Sequence, residues 1–300
     1  MIGHRLVATS LTFTGDLVEG CAHYDRALAI YDPTEHRPLA TRFGQDVGVV
    51  ILSFRSWALW LLGYPEASRR DIESALKNAR EIGHAPTLMY SLFCAAGMQI
   101  YYGNYLRANE LAGELLALAE EKDAMLWKAA SLTYQGCTSI LIGNAAVAVD
   151  QLTSGIRAWR STGATLWMPL YLPFLARARA ALGQFDDAWH CIEEATTAAT
   201  KEAWWEAEVN RVAGEIRLLG PKANAAQAEQ CFERALAVAR QQQARSWELR
   251  AAMSLARLWR DQGKPQQARE LLAPVYGWFT EGFDTRDLKE AKALLEELAA

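Results

Sequence analysis

Glycine recurs in this chain on a fixed stride, and the stride limits the folds open to it. Gly63, Gly103, Gly143 and Gly183 are each 40 residues from the last, and Gly263 lies two strides beyond Gly183. An apolar run at helical spacing precedes each of them, and a short turn and a second run follow. In that second run Ala75, Leu115, Gly155, Ala195 and Val275 hold one phase, twelve residues after their glycine. A glycine that closes one helix, followed at constant separation by a packing residue in the next, marks stacked helical hairpins that bury their apolar faces against neighbours. The pattern predicts an all-α, right-handed superhelical solenoid of about seven antiparallel hairpins.

The regular units fall at 47–62 with 65–82, 86–102 with 104–121, 125–142 with 145–162, 166–182 with 185–201, and 246–262 with 265–279. Prolines at 65, 86, 221 and 265 sit at turns or helix starts, where the missing N–H costs nothing. The first hairpin reads as shortened, from 3–14 into a helix whose Cys21, Tyr24, Ala27, Leu28 and Tyr31 form one apolar face. From Gly15 to Gly63 the interval is 48, and the extra eight residues fall in the polar connection Asp32 to Asp46, DPTEHRPLATRFGQD. Such a segment either carries function or only covers a core edge. The sixth unit, 203–219 with 224–243, has its turn lengthened by three residues, since Gly220 to Ala235 spans 15. Asp284 or Thr285 can cap a last helix, 286–298, whose polar Lys289, Glu290, Lys292, Glu296 and Glu297 suit the end of a stack. Residues 1–300 therefore read as one repeat domain.

Composition excludes more than it suggests. A formal charge of -4 argues against a general polyanion binder, so no nucleic-acid partner is expected. No apolar run approaches the roughly 18 residues of a membrane span. Cysteines 21, 94, 137, 191 and 231 form no CxxC and no Cys/His metal spacing, and an odd number of scattered thiols reads as buried small hydrophobes in a reducing cytoplasm. Histidines 4, 23, 36, 84 and 190 have no i, i+4 partner, no GxSxG elbow is present, and acidic pairs such as Glu193 with Glu194 or Glu206 with Glu208 read as solvated faces. The expectation is a chain without catalytic, metal or cofactor site.

Aromatic and Leu residues before glycine, a turn, and small residues in the second helix resemble a tetratricopeptide-type array with helices about a turn longer than usual. Four strings are more specific: YDPTEHRPLATRFGQDVGV (31–49), WALWLLGYPEA (57–67), CFERALAVARQQQARSWELRAAMSLARLW (231–259) and LLAPVYGWFTEGFDTRDLKEAKALLEEL (271–298). They resemble the C-terminal repeat region of bacterial multidomain signalling proteins, in which a class III adenylate or guanylate cyclase or another output domain precedes an AAA-like or STAND-type ATPase. This chain has no GxxxxGK[ST] phosphate loop, so the resemblance implies the regulatory or interaction part alone. The implied partner is a protein or peptide, with a cyclase or ATPase module as the candidate.

In tetratricopeptide arrays the first helices line the concave face, which singles out residues six and three before each turn glycine and the one after it. Those positions give Trp57, Trp60 and Tyr64; Ile100 and Asn104; Cys137, Ile140 and Asn144; Arg177 and Gln184; Arg217; and Arg257, Arg260 and Lys264. An aromatic end would grade through amides to a basic end, suiting a peptide with an acidic terminus. A second reading is a sensor that takes a small anionic effector in the groove or at the Asp32–Asp46 segment. Against both stands the ordinary use of such arginines in bridging neighbouring helices, such as those carrying Glu215 or Asp261. The tryptophans read mainly as fillers of wide inter-helix gaps.

Overall fold

The computed structural model describes residues 1–220 and 223–299, and among these there is helix and no strand. The helices are α1 (Ile2–Thr14), α2 (Leu17–Ile30), α3 (Pro33–His36), α4 (Ala40–Phe43), α5 (Val47–Leu61), α6 (Pro65–Ile82), α7 (Ala85–Tyr102), α8 (Tyr105–Glu121) and α9 (Met125–Leu141). They continue as α10 (Ala145–Ser161), α11 (Met168–Ala181), α12 (Phe185–Ala199), α13 (Glu206–Leu219), α14 (Ala225–Gln241), α15 (Arg245–Asp261), α16 (Pro265–Gly277) and α17 (Arg286–Glu297). The fold is the expected tetratricopeptide-like solenoid of helical hairpins, closed by α17. Pro65 and Pro265 open α6 and α16, while Pro221 lies outside the described residues, as does part of the lengthened sixth turn.

The stride glycines act as anticipated. Gly63, Gly103, Gly143, Gly183 and Gly263 all hold φ between 76 and 92°, a left-handed conformation in which a Cβ would be strained. Thr285 stands at the N-cap of α17, but its hydroxyl donates to Gly282 O at 2.7 Å instead of accepting from the first turn.

The chain divides into two compact units, one formed by Met1–Trp60 with Glu66–Leu166 and the other by Leu61–Pro65 with Trp167–Ala300. In the first, α1 packs on α2, α7 on α8 and α9 on α10, and α9 in turn packs on both α7 and α8. Trp57, Gly97 and Cys137 occupy one repeat position in α5, α7 and α9. The missing side chain of Gly97 makes a slot, since a Cβ there would lie 2.8 Å from Trp57 Cζ2 and 2.6 Å from the Tyr134 hydroxyl. Trp57 fills that slot and is fully buried.

The Asp32–Asp46 connection is more ordered than its polarity suggests, holding α3, a 3-10 turn at Arg37–Leu39, and α4. Both of its ends are pinned. Asp32 accepts the Thr34 N–H at 2.7 Å, and Asp46 accepts the Val49 N–H at 2.9 Å as the cap of α5. Asp46 is also tied outward: the Tyr31 hydroxyl donates to it at 3.0 Å, and its own N–H donates to Thr87 Oγ1 at 2.9 Å.

In the second unit α11, α13, α15 and α17 follow one another as a layer, with α12, α14 and α16 behind them. At one end of this layer four indoles are nested: Trp204 lies 5.5 Å from Trp167 and 5.0 Å from Trp205, and Trp205 lies 5.5 Å from Trp247. All four are buried, the gap-filling role that tryptophan's size favours. Trp167 has φ 72°, and its N–H donates to both carboxyl oxygens of buried Glu202, at 2.9 and 3.0 Å. Burial pushes the Glu202 carboxyl up to about 7, against the pull of that N–H.

Candidate functional site

The layer of first helices in the second unit carries a lattice of alternating charges. On α13, residues 208, 211 and 215 share one face by helical spacing, and the lattice is built around them. Arg211 donates Nε and Nη2 to the two oxygens of Glu208, both at 2.7 Å, and Nη1 to Ser254 at 3.2 Å and to Glu215. From α11, Arg177 reaches the other oxygen of Glu215 through Nε at 3.0 Å and Nη2 at 2.6 Å. From α15, Arg250 meets Glu208 at 3.1 Å and approaches Asp287 of α17 at 3.9 Å. Further along, Arg257 and Arg286 share Glu290 at 2.9 and 2.6 Å.

Arg211 and Glu208 are 4% and 6% exposed, so the lattice runs from the interior outward. Burial alone would raise the Glu215 carboxyl, but Arg177 and Arg211 outweigh it and hold that group at about 2. Glu208 is likewise held below the usual range by Arg211 and Arg250 against the effect of burial. Asp287 goes the other way: burial and the charges of Glu208 and Glu290 raise it in spite of Arg250. A surface of this kind offers carboxylate edges and guanidinium faces side by side. It suits the mixed donors and acceptors of a peptide better than a bare anion, because each fork already holds a carboxylate.

The structure sorts the sequence candidates sharply. Trp57 and Trp60 are 0% and 3% exposed and pack edge-on and tilted against Tyr101, so they serve the core and line no open groove. Cys137 and Ile100 are buried as well. Tyr64, in the turn that belongs to the second unit, is 40% exposed and packs on Trp278 at 5.6 Å. Asn104 and Asn144 precede α8 and α10 on the surface of the first unit, Asn104 donating to Gln99 at 3.0 Å.

The arginines make the inter-helix bridges that the sequence left open. Arg177 is paired with Glu215, and Arg257 with Glu290. Arg260 is paired with Asp261 at 3.0 Å and Glu297 at 2.6 Å. Arg217 instead stacks on Trp189, 3.8 Å from the ring centre. Lys264 is exposed and donates to Gln262 at 2.7 Å. Glu208, read from sequence as part of a solvated face, is buried because Arg211 and Arg250 both reach it. The i, i+3 pairing of 208 with 211 was the available signal for this. Among the described residues no group of three metal-ligating side chains is gathered, and no helix is long and apolar enough to cross a membrane.

No family model and no curated protein matches the chain. Solved structures do match over nearly all of it. The apo form of RapI is similar at a TM-score of 0.58 and 15% identity, covering 99% of this chain and 98% of that one. The Rap conjugation gene regulator of plasmid pLS20, in complex with the Phr* peptide, gives a TM-score of 0.64 at 12% identity, covering 99% and 73%. A Rap protein complexed with competence and sporulation factor gives 0.64 at 14% identity, covering 98% and 75%. At these identities the likeness is one of fold: a tetratricopeptide-like array of helical hairpins.

Proposed function

We propose that the chain is a regulatory repeat module that binds a protein or peptide through the first-helix layer of its second unit. The observation that carries this reading is the charge lattice from Arg177 to Glu290, a strip of donors and acceptors on α11, α13, α15 and α17 that is buried at Arg211 and Glu208 and part-exposed around them. Fold relatives complexed with Phr* peptide and with competence and sporulation factor support a peptide as the class of ligand. Arg217, Arg257, Arg260 and Lys264 are the contacts we assign at the basic edge of the strip. The four strings quoted above carry the finer proposal that the partner is a cyclase or ATPase module.

The test is fluorescence anisotropy with labelled peptides ending in two or three acidic residues. Arg257 and Arg260 are 40% and 38% exposed and pair only at the rim, so replacing both with alanine leaves the fold intact. The double variant should weaken binding about tenfold at low salt, and the difference should shrink as the Debye length falls to about 3 Å near 1 M salt. Affinity that is unchanged at every salt concentration would remove this surface from consideration.

A further inference from the structure

One arginine in the first unit lines a cavity without forming an ion pair among the described residues. Arg55 reaches Asp71 at 2.6 Å and Asp25 at 2.5 Å, and the lattice arginines of the second unit are paired throughout. Arg5, on α1, has a buried Nε with no hydrogen-bond partner, and its guanidinium meets no carboxylate among the described residues. The groups whose charge it senses are the phenols of Tyr24 and Tyr90. Burial raises both well above the ordinary phenol value, so they stay neutral and do not balance it. The side chain is part-buried, and its Nε–H, shielded from water, has a hydrogen-bond acceptor to gain from a ligand.

Arg5 opens into a cavity of about 80 Å³ lined also by Ile2, Phe43, Gln45, Val47 and Val50. The cavity is assembled from three places: the first helix, the end of the Asp32–Asp46 connection, and the first turn of α5. Asp46, the carboxylate between Gln45 and Val47, is committed to Tyr31 and to capping α5, so it does not reach back to neutralise the cavity. Its cap also holds Phe43 and Gln45 in place. Val47 is the first residue of α5, whose amino-terminal end is already capped by Asp46, so the cation of the site is Arg5.

We infer that this cavity binds a small organic monocarboxylate, with Arg5 gripping the carboxylate, the Gln45 amide donating to it, and a short branched tail against Ile2, Val47 and Val50 beneath Phe43. The size follows from the volume. A single water needs about 10–15 Å³ of such a cavity, so 80 Å³ takes several and suits a carboxylate head with a short tail. A single guanidinium among four apolar neighbours matches a single charge with a hydrocarbon tail better than it matches phosphate. This site is independent of the peptide-binding surface proposed above and stands or falls without it. It also gives the extra eight residues of the connection a purpose, because Phe43 and Gln45, two of the lining residues, come from it.

The same chemistry could be supplied by a free acid or by the carboxyl end of a peptide, and titration calorimetry on the full chain separates the two. The probes are isovalerate, its neutral isostere isovaleramide, and the tripeptide acetyl-Gly-Gly-Val as the free acid. The wild-type protein should bind isovalerate roughly ten- to hundredfold more tightly than isovaleramide. Tighter binding of the tripeptide than of isovalerate assigns the site to a chain terminus, and the reverse order assigns it to a free acid. Arg5→Gln should abolish the preference for the acid while leaving the ligand-free melting temperature unchanged, since Arg5 is part-exposed and no ion pair among the described residues is lost with it. Equal affinity of the wild type for acid and amide, or a preference for the acid that persists in Arg5→Gln, would overturn the proposal.

Discussion

Glu202 shows how one carboxyl can set the acid response of a unit. It is 2% exposed, and among the described residues its carboxylate accepts from the Trp167 N–H alone, so burial favours the protonated form and raises the group to about 7. Below about pH 4.5 the group is protonated in both folded and unfolded chains and costs nothing. As pH rises from there to 7, the unfolded chain sheds the proton first, and stability falls by about 3 kcal/mol. Glu215 has the opposite sign: held at about 2, it supports the fold above pH 4.5 and loses that contribution as the pH falls towards 2. Denaturant unfolding of the wild type and of Glu202→Gln between pH 5 and 8 should give curves whose difference varies with pH, the variant lacking the decline. Parallel curves would show that Glu202 ionises normally.

At the scale of elements, two glycines on second helices give opposite outcomes for one substitution. Gly155 on α10 is pressed against α9, and an added Cβ would lie 2.4 Å from Thr133 Oγ1 and 2.9 Å from the Thr133 backbone nitrogen. Gly155→Ala should therefore destabilise by about 1–3 kcal/mol, because backbone cannot step aside as a side chain can. Gly113 on α8 is exposed and meets nothing within 4 Å, so Gly113→Ala should stabilise by about 0.5–1 kcal/mol through helix propensity. Chemical denaturation of the two variants reads both signs. Within the lattice, Arg211→Met leaves Glu208 and Glu215 facing each other with Arg177 and Arg250 alone to balance them, and should cost about 3–5 kcal/mol. The hairpins themselves are legible in the sequence because a left-handed cap at Gly103 or Gly143 is a local requirement. The fate of Trp57 is not, since it depends on a slot that Gly97 opens one full stride away. Burial of Glu208 is half-legible, because Arg211 stands three residues on but Arg250 comes from another helix. A face assigned by counting from the turn glycine cannot separate a side chain that lies along the surface from one that drops between two helices.

Over the whole chain, the five thiols report how tightly the hairpins close. Four are buried, and burial raises Cys21 and Cys94 to about 12 and Cys137 well above the ordinary thiol value. Cys231 is partly exposed, and burial raises it in spite of the Arg217 charge. A chromogenic disulfide reagent at pH 8 should accordingly modify one thiol of the native protein promptly and the others only at the rate of opening. Prompt reaction of three or more would mean that the stack breathes far more than its packing implies. The indole nest of Trp167, Trp204, Trp205 and Trp247 adds an optical consequence. The backbone of Trp167 in this nest holds Glu202, a carboxyl whose charge changes near neutrality, so the colour and yield of the protein's own ultraviolet emission should register that proton, with no dye attached.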